Sequence, residues 1–510
     1  MNRWCVGGML LVCWVAGWVQ AEPLEQGEAR FLKARLVPAP QSVTLTDGPR
    51  VLLNGALRVS IACVTNGEAA VTETRRVFKE WFGHTPKIGL RHADADGLPQ
   101  KPDAYRIEAS GRTLLIEAAD SGGVRNALRT LRQLAEPLRG TREVAEYAIP
   151  ATRIEDAPVM AFRGFHLCWF PENTPVQMER FIRLAAYYKM NYVVIEPWGM
   201  FVSGRKPGLA WPEGTMTRKA LRHLVKVADS LGVTLIPQFN ALGHASGARM
   251  SCHKHAVLDL NPELQPLFEP LGWSWCLSNP ETIRVIDECV TDLHEAFGRP
   301  PFFHAGCDEA DDMGTCPACR RTDYPARVRD HLTHLRDLLA ARGCRMMIWH
   351  DMLLRSGDPR WKGFYANGKE GAERLLEGLP RDIIICDWYY GAPNKEGTWP
   401  TLRYFKEKGF GVLACPWENA EGYRGLGKAV VSEGLEGMLS TTWHHLYGRD
   451  MMGIYFRAAH AMWGTRPNGG HEYLVFAHHL RQIGWDVPVR TYEDTGTYHT
   501  QLPEKTASPH

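Results

Sequence analysis

The 510-residue chain lacks an excess of charge of either sign: 59 Lys and Arg stand against 57 Asp and Glu, for a formal net charge of +2. Without a basic field it offers no surface for nucleic acid or for an anionic membrane. After the N-terminal segment no apolar run is long enough to span a bilayer. Low-complexity tracts and internal repeats are missing too, which excludes a disordered scaffold, a collagen and a solenoid. No glycine-rich first turn announces a dinucleotide-binding sheet. Cysteine is not scarce, at 13 residues, but it is poor in pattern. The one tight pair is Cys316-Pro317-Ala318-Cys319, shortly after Cys307. With no second pair it reads as a local disulfide or two idle thiols, and no metal or other cofactor is assigned.

The first residues do have a pattern. Arg3 precedes an apolar stretch to Val19, and Val19-Gln20-Ala21 closes it with a small residue at the cut. Residues 1–21 are therefore expected to be a signal peptide, making the mature protein exported (periplasmic or secreted), with no stable membrane insertion after cleavage.

Residues 22–158 read as a small α+β domain. Strand-length apolar patterns at Ser42–Thr46, Leu57–Ala62, Tyr105–Ala109 and Thr113–Glu117 alternate with helical ones at Ala70–Phe82 and Gly123–Leu134. Ile149 to Pro158 is expected to be the boundary. In residues 159–486 the pattern becomes short apolar runs separated by longer amphipathic segments. The runs are Phe162–Trp169, Tyr192–Glu196, Thr234–Phe239, Phe302–Gly306, Arg345–Trp349, Asp382–Trp388, Gly411–Trp417 and Gly437–Trp443. Eight strand–helix alternations predict a (β/α)8 TIM barrel, with chemistry at the carboxyl ends of the runs. Ile454–Trp463 is expected to be the last helix, and 487–510 a loose tail.

The run ends are rich in chemistry: Glu196-Pro197-Trp198, Gly243-His244, Cys307-Asp308-Glu309, Trp349-His350-Asp351, Trp388-Tyr389-Tyr390, Trp417-Glu418 and Trp443-His444-His445. Trp rings at five of these ends suit stacking on the apolar face of a pyranose. Rings and carboxylates with few basic residues favour a neutral sugar. Asp308 and Glu309 are adjacent, so both serve one site only where strand gives way to loop. Two carboxyls that close are expected to raise one pKa, leaving the general acid that a glycosidic oxygen requires. His244, His304, His350 and Asp351 also allow a metal-hydrolase reading, but only one His follows the first run, in Phe165-His166-Leu167.

His304-Ala-Gly-Cys-Asp-Glu309 resembles the H-x-G-x-D-E signature of glycoside hydrolase family 20, the β-N-acetylhexosaminidases. Phe162-Arg163-Gly164-Phe165, Tyr188-Lys189-Met190-Asn191, Gly243-His244, Leu36–Val43 and Gly123–Leu134 resemble further family pieces in the same order, covering roughly residues 35–465. The resemblance implies substrate-assisted retention on N-acetylhexosamine-containing glycans, in which the 2-acetamido oxygen replaces a protein nucleophile. Glu309 would be acid and then base, and Asp308 would orient the acetamide. Arg163 would hold sugar hydroxyls and His244 would support the site. Trp349, Trp388 and Trp443 would wall the acetamido pocket or stack on the sugar, with Trp417 beside them. Tyr390, with Tyr389 as the alternative, would hydrogen-bond the acetamide oxygen.

The sequence also departs from the family. The D-x-x-R-H-F following R-G is replaced by Leu167-Cys168-Trp169-Phe170-Pro171, and E-x-D-x-x-G-H by Gln238–His244. Glu196, Asp351 and Glu418 are expected to take over the missing sugar contacts. The rival readings are a retaining glycosidase on a non-acetamido sugar, with Glu196 or Glu418 as nucleophile, and a non-catalytic sugar-binding protein.

Overall fold

A computed structural model describes residues 26–484 except 47, 92–96, 139–145, 171–172, 198, 200, 202–206, 211–214, 247–256, 395–396, 444–447 and 470. The expected signal peptide, the tail, Pro171, Trp198, His444 and His445 lie outside the described residues.

The N-terminal unit is a six-stranded mixed sheet in the spatial order Ser42–Leu45, Thr152–Asp156, Tyr105–Ser110, Thr113–Ala118, Arg58–Cys63, Lys87–Leu90. Helices Gly67–Phe82 and Ser121–Leu134 pack against it, around a core that includes Phe78, Ile107, Ile116, Val124 and Leu131. One expectation is corrected here. Thr152–Asp156, taken from sequence as boundary, is an internal strand between Ser42–Leu45 and Tyr105–Ser110. Its alternation is visible only in register, where Thr152, Ile154 and Asp156 turn inward.

Eight parallel strands follow: Phe162–Cys168, Tyr192–Glu196, Thr234–Pro237, Phe302–His304, Arg345–Trp349, Ile384–Trp388, Gly411–Cys415 and Gly437–Ser440. The first strand pairs with both the second and the eighth. A parallel bridge from Gln238 to His304 links the third to the fourth, so the sheet closes into a TIM barrel. Side chains fill it. At the amino end Phe162 stacks on Tyr192 at 4.3 Å with Phe302 edge-on to both, and Val194, Ile236, Met347, Ile384 and Leu413 lie in the same interior cluster. The helices start where local chemistry says. Thr174 and Gln177 form a reciprocal capping box with Pro175 at the first turn, and Asn279 caps the Pro280–Ala296 helix. Ile454–Trp463 belongs to a helix beginning at Gly448, and it is not the last, because Glu472–Gln482 follows it.

The two domains meet at the amino end of the barrel through buried charge. Lys189 is 1% exposed, and its Nζ donates to Asp156 Oδ2 at 3.0 Å and to Tyr105 Oη at 2.7 Å. Trp463 Nε1 donates to the other Asp156 oxygen at 2.7 Å. Arg163 lies beside this pair, at the start of the first strand. Its guanidinium donates to the carbonyls of Lys189, Met160 and Ala161 and to Asp103 of the small domain, and it lies over the Trp463 ring. Asn191 Oδ1 accepts from the Arg163 amide.

This corrects the expected role of Arg163. At 2% exposure and the amino end of its strand it is a domain staple, not a sugar ligand. Removing one partner of a buried pair leaves the other charge uncompensated, at a cost of about 3–5 kcal/mol. Lys189→Met and Arg163→Met are therefore expected to lower the denaturant midpoint strongly. Below their unfolding transitions, KM on an aryl glycoside should match the parent; a raised KM in Arg163→Met would restore its role as a sugar ligand.

Candidate functional site

The fourth strand is short, ending at His304, and the chain then turns sharply. Gly306 and Cys307 have φ +65 and +80, and Glu309 has φ +45. This places Asp308 and Glu309 in irregular backbone, where both can face one point. That point is His244 Nε2, 3.2 Å from Asp308 Oδ2 and 3.1 Å from Glu309 Oε2. Asp308 is buried at 5% exposure, while the Glu309 side chain is 42% exposed and open to a ligand. His244 itself has φ +51. Gly243 before it lies so close to the acid-bearing loop that a Cβ there would meet Asp308 O at 2.0 Å and Ala310 N at 2.8 Å.

Glu309 is held from several sides. Its amide donates to Asp351 Oδ2 at 2.9 Å, and its carbonyl accepts from Trp273 Nε1 at 2.6 Å. The Trp273 ring lies 4.4 Å from the His244 ring. Asp351 is fully buried and also accepts from Asn367 Nδ2 and Trp388 Nε1. Its oxygens are thus engaged inside the protein, and it positions Glu309 rather than contacting sugar as expected. Burial first, and then the Asp308 charge, push the Asp351 carboxyl up to about 7. The raised carboxyl is thus Asp351, behind the adjacent acidic pair.

Glu196 is corrected in the same way. It is 3% exposed, with Oε2 at 3.1 Å from His166 Nε2 and Oε1 accepting from Asn240 Nδ2 at 2.7 Å. It lines a cavity with Gln238, Asn240 and His244, but its oxygens orient protein groups. Glu418 sits at the seventh strand's end with φ +54, half-buried, and its carbonyl accepts from Arg457.

The aromatic residues divide into floor and wall. Trp349 is fully buried among His166, His304 and Trp443. It forms the floor of the mouth and offers no open face for stacking. Trp388 is 5% exposed, with Tyr365 stacked on it at 4.0 Å. Tyr390 stands among Trp388, Trp417 and Trp443 at 5.3, 5.1 and 6.5 Å. Burial, with the Asp308 charge added, holds its phenol protonated. Tyr389 instead packs on Phe364 at 4.6 Å. Trp273, Tyr365 and Asn367 were not foreseen from sequence, since they lie in loops without periodicity.

The metal-hydrolase grouping does not assemble. His304 is a core residue, driven neutral by burial, whose Nδ1 accepts from the Gly306 amide. His350 is buried and bonded to backbone at Tyr365 and Trp388. Among the described residues, neither joins a set of side chains close enough to share an ion.

Comparison with known proteins gives a consistent answer. Residues 33–157 match the model of glycosyl hydrolase family 20, domain 2, and residues 199–392 that of the glycosyl hydrolase family 20 catalytic domain. A β-N-acetylhexosaminidase of Cellulomonas fimi is 26% identical over 58% of this chain and 63% of its own length. A β-hexosaminidase of Porphyromonas gingivalis is 22% identical over 62% of this chain and 45% of its own. The chain thus spans about half to under two-thirds of the length of these relatives. Among solved structures, a GH20 exo-β-N-acetylglucosaminidase from Vibrio harveyi in complex with N-acetylglucosamine superposes with a TM-score of 0.66, covering 88% of this chain and 77% of that one at 18% identity.

Two outcomes test the geometry. Gly243→Ala must displace the 308–310 backbone, so turnover by an active preparation is expected to fall about 100-fold, the penalty of a displacement near 1 Å. Wild-type turnover would show that the loop yields. Because Asp351 binds its proton more tightly folded than unfolded, its contribution to stability is present at low pH and lost as pH rises from about 4 through 7. The unfolding free energy of wild type relative to Asp351→Asn should therefore fall as pH rises from about 4 to about 7, by up to about 1.4 kcal/mol per pH unit. A difference independent of pH would contradict this.

Proposed function

The chain belongs to glycoside hydrolase family 20, and on that footing we propose that its barrel mouth removes terminal β-linked GlcNAc or GalNAc by substrate-assisted retaining catalysis. The observation that carries this reading is the convergence of Asp308 and Glu309 on His244 Nε2, with Tyr390, packed against Trp417 and Trp443, near enough to feel the Asp308 charge.

In the first step Glu309 gives its proton to the glycosidic oxygen as that bond breaks. The acetamide carbonyl oxygen attacks the anomeric carbon, forming an oxazolinium. Asp308, buried beside the site, accepts the acetamide N–H and offsets the positive charge that develops. Tyr390 donates to the acetamide oxygen and so fixes its line of attack. His244 donates from Nε2 to the carboxylate left on Glu309. In the second step that carboxylate takes a proton from water, whose oxygen attacks the anomeric carbon as that carbon's bond to the acetamide oxygen breaks, restoring the acetamide and giving the sugar with retention. The burial and pairing of Glu196 support this reading over a nucleophile there, because a carboxylate tied to His166 and Asn240 is poorly placed to bond carbon. We further propose that residues 1–21 direct export, which would bring the site to glycans outside the cytoplasm.

Paired aryl β-GlcNAc and β-GalNAc substrates test the reaction, with an aryl β-glucoside beside them. Turnover of an acetamido sugar, inhibition by a thiazoline mimic of the oxazoline, and loss by about three orders of magnitude in Glu309→Gln are the expected outcomes. Glucoside turnover insensitive to the thiazoline would replace the mechanism with one using a protein nucleophile.

A further inference from the structure

One cluster of soft and acidic side chains takes no part in the chemistry above. It lies behind the acid–base loop, where the segment after the third strand meets the segment after the fourth. Cys276 Sγ lies 3.7 Å from Cys316 Sγ and 3.8 Å from Cys319 Sγ. A carboxylate oxygen of Glu269 joins them, and the four ligand atoms all lie within 4.8 Å of one another. From these atoms we propose that Cys276, Cys316, Cys319 and Glu269 form a structural site for a thiophilic divalent cation, zinc(II).

The spacing is the first argument. A zinc–thiolate bond of about 2.3 Å in tetrahedral geometry sets the sulfurs about 3.8 Å apart. The two measured separations fall on that edge length, well beyond the roughly 2.05 Å of a disulfide. A disulfide would also use only two of the three converging sulfurs. Chemistry is the second argument. Three sulfurs with one oxygen favour a borderline-soft ion over calcium or magnesium, which take oxygen ligands.

The surroundings supply what such a site needs. Three thiolates and a carboxylate around a divalent ion leave excess negative charge, and backbone amides point at it. Glu269 is fully buried and accepts from the amides of Gly314, Thr315 and Cys316 at 3.1, 3.1 and 2.7 Å. The Cys319 amide donates to Cys316 Sγ at 3.2 Å, so the Cys-Pro-Ala-Cys turn already aims an N–H at a ligand sulfur. Cys316 is half-buried, which leaves a way in. Binding breaks three S–H bonds and forms three Zn–S bonds, with the three protons released to solvent, so occupancy should weaken as pH falls.

The position gives the ion a structural task. Asp312 Oδ2 accepts from the amides of Leu271 and Trp273, and Thr315 Oγ1 donates to the Asp312 carbonyl. The ligands at 269 and 276 therefore bracket the loop that delivers Trp273 to the Glu309 carbonyl, while those at 316 and 319 anchor the chain just past Asp312. The sequence shows only the CxxC pair; the third sulfur arrives from 40 residues away.

The test uses the full chain, expressed with zinc in the medium and purified without chelator, and needs no substrate. Elemental analysis by mass spectrometry is expected to find about one zinc per chain, falling to background in Cys276→Ser and Cys316→Ser but not in Cys63→Ser. Exchange into cobalt(II) should give the visible absorption of a tetrahedral thiolate site, and stripping the ion should lower the unfolding midpoint. Wild-type protein that carries no zinc and shows three alkylatable thiols would overturn the proposal. Peptide mapping that finds any two of these cysteines joined as a disulfide would do the same. Because the decisive readings are made on wild type, a variant that fails to fold does not blur them.

Discussion

The site depends on one close approach of backbone to backbone. Gly243 lies against the Asp308 carbonyl and the Ala310 amide with no room for a Cβ, and Gly306 in turn faces Asn240. Two loops from neighbouring strands therefore interlock, backbone on backbone at Gly243 and with the Asn240 side chain against Gly306. Only in that arrangement does His244 reach both carboxylates of the next loop. Asp351 and Trp273 then hold the Glu309 backbone from other directions, one through its amide and one through its carbonyl. Glu309 thus has a fixed main chain and an accessible side chain, the combination that the proposed acid–base role requires.

The barrel separates its functions by end. Of the ten non-glycine residues with left-handed φ among those described, His244, Cys307, Glu309, Glu418 and Trp443 all lie beyond the carboxyl ends of strands. Such conformations cost on the order of 1 kcal/mol each and persist where packing over-determines them. The amino end carries instead the buried pairing of Lys189 with Asp156 and of Arg163 with Asp103. Half of the left-handed residues therefore lie at the mouth, while the bonds that fix the scaffold collect at the opposite pole, where Asp103 and Lys189 are left-handed too.

This division explains what could be read from the sequence. The eight runs were legible because each strand is buried on both faces and stays apolar along its length. Asp308-Glu309 was legible because adjacency only makes sense where a strand ends. Arg163 was misplaced because its motif opens a strand, and linear proximity to other motifs says nothing about which pole a side chain serves. Asp351 and Glu196 were recognised as important, but burial, which decides between holding a sugar and holding a backbone, is a tertiary property. Trp273, Tyr365 and Asn367 act across separations that periodicity cannot register. The strand at 152–156 was hidden for a related reason, since its partners lie about 45 to 115 residues earlier.

The amino-end pairing bears on how the chain can change over evolutionary time. Asp103 and Asp156 belong to one domain, and the cations they neutralise to the other. Recombination that replaced the small domain with an unrelated one would strand Arg163 and Lys189 in a seam without their acids. The two domains are thus bound to be inherited together, although neither acid of that seam comes near the sugar. The rim loops carry no such obligation, so divergence in substrate choice can proceed there while the pairing at the other pole stays constant.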